Sequence, residues 1–278
     1  MSTEINERDR QAPAMEQAQD FLDESDALHA LLAPLDDSAF EQATAFKGWT
    51  INDVLRHLHY WNWMAWLQLN DEAQLVTQMK EIGRAGGMRP VETAHVDNAA
   101  GQALVSLWRV QAERTADVFS TADPKARLKW AGPDMSARSS ITARLMETWA
   151  HGQEVYDQLG VVRANADRIR NIVVLGINTF GWTFRNRKMD VPEPVPFVSL
   201  TAPSGEVWTY GEPSEAERIE GRADEFAQVV TQTRNIADTH LKVTGPVATQ
   251  WMGFAQCFSG APEDPPAPGV RHTMTPQQ

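Results

Sequence analysis

Apolar residues recur at helical spacing through roughly the first 180 residues, and the pattern then breaks at a run of prolines. That division constrains the fold more than any other feature of the chain. From Ala14 to Leu32, Phe21, Leu22, Leu28, Leu31 and Leu32 mark a helix that Pro34 stops. Thr50 opens a second, with Asp53 in the spacing of a capping box, and Val54, Leu55, Leu58, Trp61, Met64, Ala65 and Leu67 carry it to near Asn70. A shorter helical stretch runs up to Gly86 and Gly87. A long helix is expected from Asp97 to Phe119, then a loop through Gly132 and Pro133. Ser139 or Ser140 caps the next helix, through Ile141, Leu145, Met146, Trp149 and Val155 to Gly160. One more is expected over residues 166–183. Long helices joined by short breaks predict a four-helix bundle with additions over residues 14–188.

Pro192, Pro194 and Pro196 mark a rigid connection. After it, Phe197–Thr201 alternates like a strand, Pro203, Ser204 and Gly205 form a turn, and Glu206–Tyr210 reads as the second arm of a hairpin. Glu217–Glu220 is a third candidate strand. Helices are expected over 223–230 and 247–258. Residues 189–262 thus predict a small α+β domain, and the fold class is α with a sheet-plus-helix C-terminal domain. Residues 1–13 and the proline-rich 263–278 read as disordered tails.

Charge narrows the function. Lys and Arg number 25 and Asp and Glu 37, for a formal net charge of −12. Such a surface repels phosphate backbones and anionic lipid, which argues against nucleic-acid and membrane-surface partners and leaves a small molecule as the expected one. A homodimer through helix faces is compatible with this class of bundle. No apolar run approaches the about 20 residues of a membrane span, and the polar N-terminus has no apolar h-region of a signal peptide. The single cysteine, Cys257, rules out an intrachain disulfide and a Cys-rich zinc site, and a cytoplasmic location is the default expectation. Its neighbours Trp251, Met252, Phe254 and Phe258 favour a buried structural thiol over a nucleophile. No P-loop, G-x-G-x-x-G or G-x-S-x-G motif is present.

Histidine carries the remaining signal. His57 shares a helix face with Val54, Trp61 and Met64, so it points toward the bundle core, as a buried hydrogen-bonded histidine or as a metal ligand. His59 lies about 200° further round the helix, so the two cannot bind one ion. Glu147 and His151 stand at i and i+4 and can converge on one metal. The competing reading is a solvated polar stripe of Arg144, Glu147, His151, Glu154 and Gln158. With His57 added from another helix, the set becomes two histidines and a glutamate, an open zinc site with three protein ligands. His29, His95, His240 and His272 lie on the first helix, at element ends or in the tail.

Gly48–Leu58, GWTINDVLRHL, resembles the first signature of the DinB-like helical bundle found in mycothiol-dependent maleylpyruvate isomerase and its relatives. Arg144–Val155, RLMETWAHGQEV, resembles the second. Leu175–Trp182, Leu200–Trp208 and Ala255–Pro262 extend the likeness, closest to an uncharacterised metal-binding subfamily, over about Ala14 to Pro266. The resemblance implies that His57, Glu147 and His151 bind one divalent metal, taken as zinc. Asp53 matches the signature aspartate and is assigned to the helix cap rather than to support of the metal. It further implies a low-molecular-weight thiol, mycothiol or similar, held as a metal-bound thiolate that attacks a small electrophile, in a transferase or isomerase. A basic residue should then hold the substrate's carboxylate. Arg234 is the candidate, although the subfamily often shows two adjacent arginines where this chain has Thr233, Arg234 and Asn235; Arg185, Arg187 and Arg222 compete with it. The alternatives to a thiol enzyme are a hydrolase or lyase using metal-activated water, and a non-catalytic metal-binding protein.

Overall fold

The computed structural model describes residues 14–130 and 133–274. The expected tail 1–13 and residues 275–278 lie outside them. Four long helices form the bundle: α1 (Glu16–Leu32), α2 (Ile51–Asn70), α5 (Gly101–Ser120) and α6 (Ala137–Gln158), with α1 and α2 each packed against both α5 and α6. Two shorter helices, α3 (Glu72–Arg84) and α4 (Met88–His95), cross over between α2 and α5. The capping box forms as expected: Asp53 N–H donates to Thr50 Oγ1 at 3.1 Å and Thr50 N–H to Asp53 Oδ2 at 3.0 Å.

The helix expected from Asp97 starts only at Gly101. Asp97 and Asn98 sit at φ 49° and 59°, left-handed values that no α-helix contains. The next helix begins earlier than expected. A two-stranded ribbon, β1 (Arg127–Leu128) with β2 (Met135–Ser136), delivers Ser136 to the N-cap, where its Oγ accepts from Ser139 N–H at 3.1 Å. The expected helix 166–183 is three pieces: a 3-10 turn at Asp167–Ile169, α7 (Arg170–Asn178) and α8 (Phe180–Asn186). Thr179 divides the last two, its hydroxyl donating back to the carbonyls of Leu175 and Gly176.

The C-terminal unit is a mixed four-stranded sheet, β3 (Phe197–Thr201), β4 (Val207–Tyr210), β5 (Arg218–Arg222) and β6 (Lys242–Thr244), in the order β4-β3-β5-β6. The β3–β4 hairpin is antiparallel, with Val198 opposite Tyr210, and β5 runs parallel to β3. Alternation buries Val198, Leu200, Trp208 and Ile219 against α9 (Ala223–Val230) and α10 (Pro246–Phe254). Gly176 lets α7 and α9 approach: a Cβ there would lie 2.9 Å from both Val230 methyls. Met146 and Trp149 of α6 belong to this same apolar cluster, so the sheet unit packs directly on the bundle.

The tail is the main correction to the expected organisation. Residues 263–274 are held on the body. Gln232 Nε2 donates to Glu263 O at 2.8 Å, Asn235 Nδ2 to Pro266 O at 2.8 Å, and Met274 N–H to Asp157 O at 2.8 Å. A proline-rich segment has few N–H groups of its own, and here side-chain amides of the body satisfy its carbonyls. Among the described residues, no helix is long and apolar enough to cross a membrane.

Candidate metal centre

α2 and α6 pack side by side and bring His57 against Glu147 and His151. His57 Nε2 lies 3.5 Å from Glu147 Oε2, His151 Nε2 lies 3.3 Å from the same oxygen, and all three donor atoms fall within 4.8 Å of one another. Ligands about 2.0–2.2 Å from a tetrahedral zinc stand about 3.3–3.6 Å apart, so this donor set fits a divalent metal with little rearrangement. His57 and His151 are buried, and Glu147 is 21% exposed, toward a cavity of about 580 Å³.

A carboxylate orients the first histidine. His57 Nδ1 bonds Glu92 Oε1 at 2.8 Å, and Trp61 Nε1 donates to the same oxygen at 3.0 Å. With Nδ1 carrying the proton toward Glu92, the Nε2 lone pair faces Glu147 and His151, the tautomer a metal requires. Glu92 is buried on α4, and its Oε2 has no partner among the described residues. Trp49 stacks on the His151 ring at 5.6 Å with an interplanar angle of 6°.

The electrostatics suit an exchangeable cation. Burial alone would raise Glu147, but hydrogen bonds from His151 and His57 and the charge of Arg144 override it and hold the carboxyl well below its usual range. Burial likewise disfavours a charged His57, yet Glu147 and Glu92 reverse the balance and raise it. Burial dominates at His151, which is lowered. Each histidine can present a neutral nitrogen to an ion that replaces the proton now shared with Glu147.

The polar stripe of α6 from Arg144 to Glu154 therefore faces a cavity rather than the outer surface, and Gln158 lies outside it. Arg144, Glu147, His151 and Glu154 all line the cavity, with apolar walls from Phe46, Trp49, Trp61, Trp130, Met146 and Trp182. Burial pushes Glu154 up to about 7, against the opposing charge of Arg271. Arg271, from the tail, donates to Glu154 Oε1 at 3.2 Å and to Gln232 O at 2.8 Å, so the tail completes one wall.

Arg234 does not reach this cavity. Its guanidinium forms a bidentate pair with Asp157 at 2.6 and 2.7 Å and donates to Thr233 O, which ties the sheet unit to the end of α6. Arg187 pairs with Asp264 and Arg222 with Asp224, and neither lines the cavity; nor does Arg185. Cys257 is buried, and burial pushes its thiol up, which accords with a structural role. His240 is exposed against Glu225, and His95 stacks on Trp63 at 4.1 Å beside His59. Glu92 and Arg144 went unread as site residues. Residues 88–95 make a helix of only eight residues with Pro90 in its first turn, a weak local signal, and the signal at Arg144 was its place on the stripe.

The architecture is a helical bundle with a two-histidine, one-glutamate cluster that could hold a metal, followed by a small sheet unit at its C-terminus. Residues 21–156 match the profile of the mycothiol maleylpyruvate isomerase N-terminal domain. An uncharacterized protein of Mycobacterium tuberculosis, present in two strains, is 36% identical over 250 residues, covering 87% of this chain and 95% of its own. Crystal structures of the mycothiol-dependent maleylpyruvate isomerase and of a histidine-to-alanine mutant of it superpose with a TM-score of 0.50 at 17% identity, over 77% of this chain and 87% of theirs. The chain carries a mycothiol maleylpyruvate isomerase N-terminal domain and belongs to one family with the uncharacterized Mycobacterium tuberculosis protein.

Proposed function

We propose that this protein is a metal-dependent enzyme that uses a low-molecular-weight thiol of the mycothiol type to act on a small electrophilic substrate, as a transferase or an isomerase. The observation that carries the reading is the convergence of His57, Glu147 and His151 at the wall of a cavity large enough for a thiol and a substrate together. His57, Glu147 and His151 would hold the ion, with zinc the expected metal. Bound there, it would supply the positive charge that lowers a thiol's pKa toward neutrality.

The chain's own residues supply the rest. Glu92 keeps the His57 proton on Nδ1 and the ring in place. Trp49, Trp61, Trp130 and Met146 give the reacting volume apolar walls, which strengthen charge interactions beside them. Glu154, pushed up to about 7, can hold or give up a proton at the cavity wall near neutral pH.

The test is metal content of protein purified without a chelating tag, beside Glu147→Ala and His151→Ala, followed by turnover of electrophilic acids with and without added thiol. One divalent ion per chain in the wild type, lost in both variants, with turnover that requires thiol, is the expected result. Turnover without thiol would support metal-activated water instead. A wild type that takes up no zinc, nickel, manganese or iron would overturn the reading.

A further inference from the structure

Among the described residues, three cationic side chains line the cavity: Lys47, Arg144 and Arg271. Two are committed to carboxylates of the protein. Lys47 Nζ meets both Glu263 oxygens at 2.9 and 3.0 Å, and Arg271 holds Glu154 and the Gln232 carbonyl. Arg144 differs. It is 5% exposed, and its Nη1 is shut off from solvent with no hydrogen-bond partner among the described residues. Its guanidinium lies 5.7 Å from the centre of the Trp130 ring, and Trp130 in turn meets Trp61 edge-on at 5.5 Å. The carboxylate whose charge it feels is Glu147, three residues further along the same helix.

A guanidinium withdrawn from water is costly unless hydrogen-bonded and matched by opposite charge. Glu147 already stands against the Nε2 atoms of both histidines, and as a metal ligand its charge would be directed at the ion. That leaves the planar donor fork of Arg144 lining the cavity one helical turn from the proposed ligand set, with Nη1 withdrawn from solvent and unpaired among the described residues. Such a fork matches a carboxylate bidentately.

We propose that Arg144 is the substrate-anchoring residue: its guanidinium receives the carboxylate of a small organic acid and sets the remainder of that molecule beside His57, Glu147 and His151. This rests on the reading of the cavity as the substrate site. It replaces Arg234, whose donors are engaged by Asp157, as the cation expected to hold the acid.

The experiment titrates succinate, with uncharged succinamide as control, into the full chain, following tryptophan fluorescence, since Trp61 and Trp130 border the site. Metal-loaded and metal-stripped protein are both used. Saturable succinate binding is expected, with succinamide at least about tenfold weaker. Arg144→Gln should weaken succinate about tenfold or more while leaving metal content at the wild-type level, and Arg144→Lys should recover part of the loss because it keeps the charge without the fork. The exposed Arg222→Gln should bind succinate like wild type. Matching thermal midpoints for Arg144→Gln and Arg144→Lys show that the difference is not one of folding.

Wild-type affinity in Arg144→Gln, equal binding of succinamide, or no succinate binding to wild type would each overturn the proposal. So would succinate binding that vanishes on metal removal yet ignores Arg144→Gln, which would place the acid on the ion. A chain that binds no metal defeats the enzyme reading alone, since the Arg144 comparison is still decided in the metal-free protein.

Discussion

Glu24 of α1 and Glu147 of α6 are both held below the usual carboxylate range despite burial, and they differ in what holds them. Glu24 lies between Arg163 and Arg168, whose guanidinium groups bond its two oxygens. Arginine does not lose its proton, so the cluster is closed and can only be structural. Glu147 lies between two histidines. They can shed a proton and offer lone pairs, so the same carboxylate fits the ion site proposed above. A buried acid takes its role from whether its partners are fixed cations or titratable donors.

The largest effects should separate the two clusters. Glu147→Ala should take metal from one ion per chain to none, measured by elemental analysis, with the fold intact. Glu24→Ala should do the reverse: it takes from the partly buried Arg163 and Arg168 the carboxylate they share and costs about 3–5 kcal/mol in urea denaturation, while the folded fraction keeps its metal. Equal metal loss in both would break the comparison.

The next effect is one of sign. The folded-state carboxyl of Glu24 is lowered, so its contribution is fully present above its ordinary value of 4.5 and is lost as pH falls through the folded value. Glu154 runs the other way. Burial raises it to about 7, so the folded state binds the extra proton, and its favourable contribution, full below the ordinary 4.5, is lost as pH rises from there through about 7. Denaturation midpoints across that range should show Glu24→Gln flattening only the acid limb and Glu154→Gln only the limb between about pH 4.5 and 7.

Smaller still, Glu92→Gln should weaken metal binding about 10–100-fold in chelator competition, because the amide no longer fixes the His57 tautomer as firmly. The smallest effect belongs to His59→Ala. The His59 and His95 ring centres lie 5.3 Å apart, but no carboxylate among the described residues joins them, and burial pulls His59 down to about 4. Metal content should be unchanged in that variant; a loss would show that the two histidine clusters are coupled.

Legibility in the sequence followed range. The bundle helices, the Thr50–Asp53 cap and the β3–β4 hairpin rest on contacts within a few residues, and local spacing announces them. The Glu147–His151 pair is local in the same sense. The break at Thr179 was not legible, since Phe180 and Phe184 keep an apolar rhythm across it while they turn into the sheet unit's core. Nor was the tail, whose prolines signal a lack of internal hydrogen bonds but say nothing of Gln232 and Asn235, which supply donors from elsewhere.

Helical periodicity and the i, i+4 pair were determined by the chain itself, because both are set by 3.6 residues per turn and need no partner. Whether the α6 stripe faced water or a cavity was not, since a run of Arg, Glu, His and Glu reads the same on either side. Only the packing of α2 against α6, and of α4 against α2, decided that, by bringing His57 to Glu147 and Glu92 to His57 across 90 and 35 residues of chain. The same packing left Arg144 buried, with its Nη1 unpaired among the described residues, and gave Arg234 to Asp157. Those outcomes depend on which surfaces meet, and the meeting of surfaces is a property of the tertiary structure.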